Sequence, residues 1–333
     1  MPGSTDTLLD ARDLIISYDT DNGVARAVNG VSFTLRRGET LGLVGETGAG
    51  KTTTALAIMG LLPEETGRVE GGSVLFEGED LLTLPREPMR RKRGQDISMV
   101  FQDPMTALNP VMNVGEQIAE ALRSHQSISV SAANARAGDM LEMVGIPRGR
   151  AVEYPHQFSG GMKQRVVIAI ALVCRPKLLI ADEPTTALDV TIQAQVLELI
   201  ARLKTEIDTS MLLITHDLGV VARTCQRVAI MYSGRVIEMG TIEQVFDDPL
   251  HPYTHGLFGS IPDITRETRR LTPIDGLMPD PFSLPEGCAF AARCRHALPG
   301  CCKPQSEVDL GGGHMAACWR AADIKARRAG GGL

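Results

Sequence analysis

The run Gly45-Glu46-Thr47-Gly48-Ala49-Gly50-Lys51-Thr52 fits G-x-x-x-x-G-K-[ST], the phosphate-binding loop. Its glycines let successive backbone N–H groups turn inward around phosphate oxygens. Lys51 would reach the outer phosphates, the Thr52 hydroxyl would ligate Mg²⁺, and Thr53 follows in the same cradle. A second constellation is Leu178-Leu-Ile-Ala-Asp-Glu183, an apolar run that ends in two carboxylates. Asp182 would hold Mg²⁺ through its water shell, and Glu183 would polarise an attacking water. An acidic pair that merely ends a surface strand is common; the phosphate loop upstream is what gives this pair a hydrolytic reading. The third is Phe158-Ser159-Gly160-Gly161-Met162-Lys163-Gln164, a Ser-Gly-Gly turn that opens a helix and so makes a second anion site. A chain with one phosphate loop needs no second cradle in the same subunit. It needs one if two subunits sandwich the nucleotide.

In this combination the chain resembles the ATP-binding subunits of ABC transporters, whose signature loop reads close to Leu-Ser-Gly-Gly-Gln. The sequence departs by Phe158 at the first position and by Met162-Lys163 before Gln164, while Ser159 and Gly161 are intact. The resemblance implies further roles. Gln102, in Val100-Phe-Gln-Asp-Pro104, matches the glutamine loop, which touches Mg²⁺ and the lytic water and faces membrane subunits. Asp189, in Ala187-Leu188-Asp189, matches the loop that spans the dimer interface. His216, in Leu212–Asp217, matches the switch histidine at the γ-phosphate. A histidine ending an apolar strand is more often structural, and its place after Asp189 is what sets His216 apart. Tyr18 matches the aromatic that stacks on adenine, although Asp19–Val24 reads as a small insertion beside it.

The elements that must position these groups follow from patterning. Thr40–Val44 reads as a buried strand delivering the loop, and Thr53–Gly60 as a helix with its N-terminus at the phosphates. Leu8–Asp96 alternates short strand runs with turn residues, as an antiparallel sheet at the edge would. Pro104–Gln157 reads as helical, with Val114–His125 and Ala132–Val144 at helical spacing. A helix is expected over Gln164–Cys174, and βα alternation over Val166–Gly240. The expected fold is α/β: a P-loop, RecA-like mixed sheet, an antiparallel edge sheet, a helical subdomain at about 104–164 and a small cysteine-rich extension. The boundaries are placed at 1–250 and 251–333. With 333 residues, 43% hydrophobic and 22% charged, the chain is long enough for one large α/β domain plus an appendage.

Composition narrows the classes. The longest apolar stretch, Val166–Cys174, is about half of what a membrane span requires. Met1–Asp6 has neither a basic region nor an apolar core, so no signal peptide is expected and the chain is placed in the cytoplasm. A formal net charge of −6 argues against a general nucleic-acid binder. The basic run Arg90–Arg93 reads as a solvated loop, with a contact to anionic lipid or a partner as the sharper alternative. The Gly- and basic-rich tail Lys325–Leu333 is expected to be disordered.

Five of the seven cysteines fall between Cys288 and Cys318. In a reducing cytosol disulfides are disfavoured, and so dense a cluster favours a metal-type site over a plain cysteine-rich loop. The spacing does not choose between zinc and iron–sulfur. With His251-Pro252-Tyr253-Thr254 before it, this region resembles the C-terminal extension of D-type ATPase subunits from bacterial dipeptide and oligopeptide importers. That family has an Arg-Cys pair, here Arg293-Cys294, and a pattern met by Cys288, Cys294, Cys301 and Cys318. Cys302 leaves the third ligand open between positions 301 and 302. The resemblance implies a [4Fe-4S] cluster, with Zn²⁺ as the alternative, that pins an extension too small for its own core. It also implies ATP-driven peptide uptake at the cytoplasmic face of the inner membrane. The implied partners are two integral membrane permease subunits, a second, F-type ATPase as heterodimer partner and an extracytoplasmic solute-binding protein. Nickel, oligosaccharides or another small solute are alternative cargoes. A soluble ABC ATPase acting on nucleic acid or ribosomes is disfavoured by the single phosphate loop and the lack of sustained heptads.

Overall fold

The computed structural model describes residues 6–102, 107–186, 188–259 and 274–329. Two sheets build it. Strands β1 (Thr7–Thr20), β2 (Gly23–Arg36), β4 (Gly67–Phe76) and β5 (Glu79–Asp80) pair antiparallel in the order β2-β1-β4-β5. Alternate residues of β2 (Val31, Phe33 and Leu35) are buried, the period-2 pattern of a sheet with one covered face. The residues read as an insertion beside Tyr18 form the β1–β2 hairpin turn.

The second sheet holds β3 (Thr40–Val44), β6 (Ile97–Val100), β7 (Leu178–Asp182), β8 (Ser210–Thr215), β9 (Arg227–Tyr232), β10 (Arg235–Thr241), β11 (Val308–Asp309) and β12 (Met315–Ala316). Their order is β11-β12-β10-β9-β3-β8-β7-β6, parallel from β9 to β6 and antiparallel beyond. Every residue of β3, β7 and β8 is buried, because both faces of a parallel sheet are covered. One face packs Leu41, Leu43, Leu212 and Ile214 against the antiparallel sheet; the other packs Val44, Leu213 and Val228 against the helical layer. Register pairs Val44 with Thr215 and Asp182 with Ile214, so the segments after β3, β7 and β8 leave the same edge. That carboxyl edge is where ligands bind in open α/β sheets.

The helical layer contains Val114–His125, as expected, Val130–Met143 and Gly160–Leu172. The last two begin earlier than the apolar periodicity indicated because side-chain caps set their starts: Ser129 Oγ accepts from Ala132 N–H, and Ser159 Oγ from Met162 N–H. Two other expectations are corrected. Arg90–Lys92 are helical rather than looped: they lie in the segment Arg86–Gln95, which kinks at Arg93 and Gly94, with an Arg90–Glu87 pair one turn apart and Lys92 on Glu79. Lys325 belongs to a helix, Ala321–Ala329, anchored by buried Ala321 and Ile324, while 330–333 lie outside the described residues.

The C-terminal extension does not stand apart. Its β12 pairs with β10 through Glu238↔Ala316 and Met239↔Met315, and so lengthens the main sheet. Glu238, buried at the joint, accepts from the N–H groups of Leu250 and His251 at 2.8 Å each and meets His314 Nε2 at 2.9 Å. The segment leading to the cysteines crosses the phosphate loop. Met278 lies over Gly48, and the Pro281 carbonyl accepts from Arg26 N–H on β2 at 3.0 Å. Among the described residues no helix is long and apolar enough to cross a membrane.

Candidate functional site

The phosphate loop leaves β3 and turns into the helix Lys51–Ile58. Gly48 and Gly50 sit at φ 84° and 98°, conformations open to glycine. A Cβ on Gly50 would also come 2.5 Å from the Ala27 carbonyl oxygen, so the motif's glycine is required twice over at that position. Thr54 closes the first helical turn, its N–H and hydroxyl both reaching the Gly50 carbonyl. Buried Lys51 donates from Nζ to the Gly45 carbonyl at 2.8 Å and to the Glu46 carbonyl at 3.1 Å, which holds the cradle in shape. Burial lowers the Lys51 pKa, against the pull of Glu183, Asp182 and Glu46. The loop is tied back from β9–β10, since Gly234 N–H donates to the Ala49 carbonyl. Ala49 itself is buried, whereas Thr47 is exposed.

Asp182, at the end of β7, is 2% exposed and hydrogen-bonded by Thr52. Burial pushes its carboxyl up and Glu183 adds to this, while Thr52 and Lys51 pull it down. Its Oδ1 is buried and meets no hydrogen-bond partner. A buried, unpartnered carboxylate oxygen on a group that Thr52 also bonds suits a cation, so this donor set fits Mg²⁺.

Glu183 carries three groups. Gln102 Nε2 donates to Oε2 at 3.0 Å, the Thr186 hydroxyl donates to Oε2 at 2.9 Å, and His216 Nδ1 lies 3.2 Å from Oε1. Burial pushes the Glu183 carboxyl up, but the bonds from His216 and Thr186 and the charges of His216 and Lys51 outweigh it, and the pKa falls below the ordinary value. The residue sits at φ 46°, a left-handed conformation costly for a side chain with a Cβ. Its N–H, donating 2.8 Å to the Ile214 carbonyl, pins it there. Tyr18 comes to the first turn of the helix after the phosphate loop, its hydroxyl 3.5 Å from Thr53 Oγ1.

The Ser-Gly-Gly turn is elsewhere, at the N-terminus of Gly160–Leu172. The Ser159 hydroxyl caps its own helix, Gly160 is exposed, and a Cβ on Gly161 would come 2.7 Å from the Ile192 side chain. Gln164 departs from the expectation of a group offered across an interface. It is fully buried and its Nε2 donates to the Pro184 carbonyl at 2.7 Å, bracing the segment behind Glu183. Asp189 is exposed ahead of the helix Val190–Glu206; Ala187 of the same motif and Asp103–Pro104 after Gln102 lie outside the described residues.

Cys288, Cys294, Cys301 and Cys318 line one cavity, with His296 and Arg320 in its wall, while Cys302 is exposed. Each sulfur meets backbone N–H groups: those of Phe290 and Ala291 at Cys288, His296 at Cys294, Leu298 at Cys301 and Arg320 at Cys318. Burial and the neighbouring cysteines push the Cys318 thiol up to about 11. Among the described residues no group of three or more His, Cys, Asp or Glu side chains is arranged to hold a metal ion, so the metal expected here is not shown.

Sequence reasoning missed Thr186, Tyr253 and Arg293 as neighbours of the site. Tyr253 Oη accepts from Glu46 N–H at 3.2 Å, and Arg293 pairs with the Glu46 carboxylate. Tyr253 had a signal, its place in the His-Pro-Tyr-Thr run; Thr186 had none.

The family model described as ABC transporter matches residues 28–186, and that for the oligopeptide/dipeptide transporter C-terminal region matches 237–301. The dipeptide transport ATP-binding protein DppD of Bacillus subtilis (strain 168) is 51% identical over 315 residues, 94% of each chain. The oligopeptide transport ATP-binding protein OppD of the same organism is 54% identical over 294 residues, 87% of this chain and 82% of the relative. Among solved structures, the dimeric ATP-binding cassette MJ0796 in a post-hydrolysis state with ADP and Pi superposes with a TM-score of 0.63 at 25% identity, covering 71% of this chain and 99% of that one. The phosphate loop, the carboxylate cluster and these matches lead to one statement: the chain belongs to the ABC transporter ATP-binding proteins, in the branch that carries the oligopeptide/dipeptide transporter C-terminal region.

Proposed function

We propose that this chain is the D-type ATPase subunit of a bacterial importer and energises the uptake of di- and oligopeptides by hydrolysing ATP. The observation that carries it is the Glu183 carboxylate, held by Gln102, Thr186 and His216 beside Asp182 and Lys51. Phosphoryl transfer asks mainly for positioning and charge stabilisation. The Gly45–Thr52 backbone and Lys51 would cradle the phosphates, with Tyr18 under the adenine. Thr52 and Asp182, joined by Gln102, would hold Mg²⁺, which when bound neutralises charge on the phosphates. Glu183, kept ionised by its hydrogen bonds, takes a proton as water attacks the γ-phosphorus. The bond to the bridging oxygen breaks, and ADP and phosphate leave. His216 would sense the γ-phosphate, and Ser159, Gly160 and Gly161 of one subunit would close over the ATP of the other, with Asp189 between them.

The subunit works with membrane permeases and a solute-binding protein at the inner membrane, and we assign its ATPase partner as a related F-type chain. Cys288, Cys294, Cys301 and Cys318 would hold a [4Fe-4S] cluster, with Zn²⁺ as the alternative. The four sulfurs on one cavity, each met by backbone N–H groups, support this. The group, when bound, would cross-link the extension. Iron content and visible absorbance of anaerobically purified protein, lost in Cys318→Ser, test that assignment.

The decisive experiment assembles the complex in proteoliposomes and follows ATP hydrolysis and uptake of a labelled dipeptide. Glu183→Gln should bind ATP while hydrolysis falls by about 10²–10⁴-fold; near-normal turnover would sink the role given to Glu183. Uptake of nickel or an oligosaccharide in place of peptide would overturn the cargo alone.

A further inference from the structure

Position 46 is one that the phosphate-loop pattern leaves free, yet here it carries a carboxylate beside the triphosphate site. A carboxylate there is adverse to a polyanion unless something neutralises it. Arg293 does so from the other end of the chain. Its Nη1 donates to Glu46 Oε2 at 3.0 Å and Oε1 at 3.2 Å, and to the Tyr232 hydroxyl at 3.3 Å. Its other two nitrogens also find partners, Nε on the Asp275 carbonyl at 3.0 Å and Nη2 on the Ile274 carbonyl at 3.2 Å. The Arg293 side chain is 6% exposed, with its guanidinium over the faces of Tyr232 and Phe290. A planar guanidinium with this many fixed partners is a rigid post.

The second anchor has the same origin. Phe290 packs edge-on against both Tyr232 and Tyr253, and Tyr253 Oη takes the Glu46 N–H. The backbone N–H and the side chain of one loop residue are therefore both held from the region 253–293. Arg293 directly precedes Cys294, whose sulfur lines the cysteine cavity.

We infer that Arg293 is a positioning residue of the nucleotide site: from the C-terminal extension it neutralises Glu46 and sets the entry of the phosphate-binding loop for ATP. The inference rests on the nucleotide-binding reading of Gly45–Thr52. It makes the extension a working part of the ATPase, beyond any structural duty of its cysteines.

The test is titration of a fluorescent ATP analogue with Mg²⁺ into the full-length protein, with thermal melting of every variant alongside. Arg293→Ala should weaken binding by about tenfold or more, the size expected when a cradle loses its alignment and gains an unpaired charge. Adding Glu46→Gln to Arg293→Ala should recover most of that loss, because the unpaired charge is gone. Arg293→Lys, which keeps the charge, should fall between Ala and the wild type. In the assembled complex the loss should appear in KM for ATP, with kcat kept. Arg293→Ala binding within about twofold of wild type, or a double variant as weak as Arg293→Ala alone, would overturn the inference. Should Arg293→Ala not fold, Arg293→Gln carries the same comparison. Wild-type protein that bound no nucleotide would overturn the reading of the loop itself and the inference with it.

Discussion

The phosphate-binding loop and the cysteine-rich extension meet at Glu46, yet they are held by different means. Within the loop the shape is set mainly by backbone: left-handed glycines at 48 and 50, a carbonyl against Gly50, and main-chain bonds from Gly234 and Thr54, with Lys51 as the one internal side-chain brace. The extension, beyond the short β10–β12 pairing, relies on side chains: Glu238 on two N–H groups and His314, Arg293 on Glu46, and four cysteines around one cavity. Backbone fixation tolerates little variation in residue type but spreads its cost over many weak bonds. Side-chain fixation concentrates stability in a few buried polar groups, each expensive to leave unpaired.

That contrast can be broken by experiment. Glu238→Ala strands the Leu250 and His251 N–H groups and His314 in the interior. It should cost about 3–5 kcal/mol, read as a large drop in melting temperature; a loss comparable to a surface substitution would dismiss the joint as unimportant. Acid is the next lever. Burial holds His251 neutral and lowers its pKa to about 4, with His255 adding to this and Glu238 opposing it. Between pH 6.5 and 4 the unfolded chain takes a proton that the folded chain refuses, so stability is full above that window and falls as the pH drops through it. The gap corresponds to about 3 kcal/mol. His251→Asn should flatten this part of the melting-temperature profile, and an unchanged slope would assign the acid loss elsewhere.

Gly48→Ala tests the other side. The left-handed backbone at Gly48 costs an alanine about 1–2 kcal/mol, and the nearest side chain, Met278, can yield. Nucleotide affinity should therefore suffer more than melting temperature; the reverse would mean that the loop serves stability first. At the small end, Arg90→Ala removes an exposed ion pair with Glu87 and should give no resolvable melting shift.

Legibility in the sequence follows the same divide. Where chemistry uses backbone groups, the chain must spend glycines at fixed spacing, and Gly45–Thr52 and Ser159–Gly161 announced themselves. Asp182 and Glu183 were legible because a buried strand ends in charge. The starts of Val130–Met143 and Gly160–Leu172 were not, since a capping serine, rather than the apolar repeat, sets them. β11 and β12 are two residues each, too short to show alternation. Arg293 and Glu46 stand 247 positions apart, and no local pattern joins them. The burial of Gln164 was not legible either, because spacing along a turn does not say which side is covered.

One more consequence lies in the joint between β10 and β12. A chain trimmed after residue 250 would keep the phosphate loop, Glu183 and His216, and would look on paper like a minimal ATPase. Its β10 would become an open edge, deprived of β12, with the Ile237 carbonyl losing the Ala317 N–H it now accepts. Such an edge is a template for pairing with other chains. The trimmed protein should therefore be recovered as aggregate, and for this molecule solubility is written in the residues after 250.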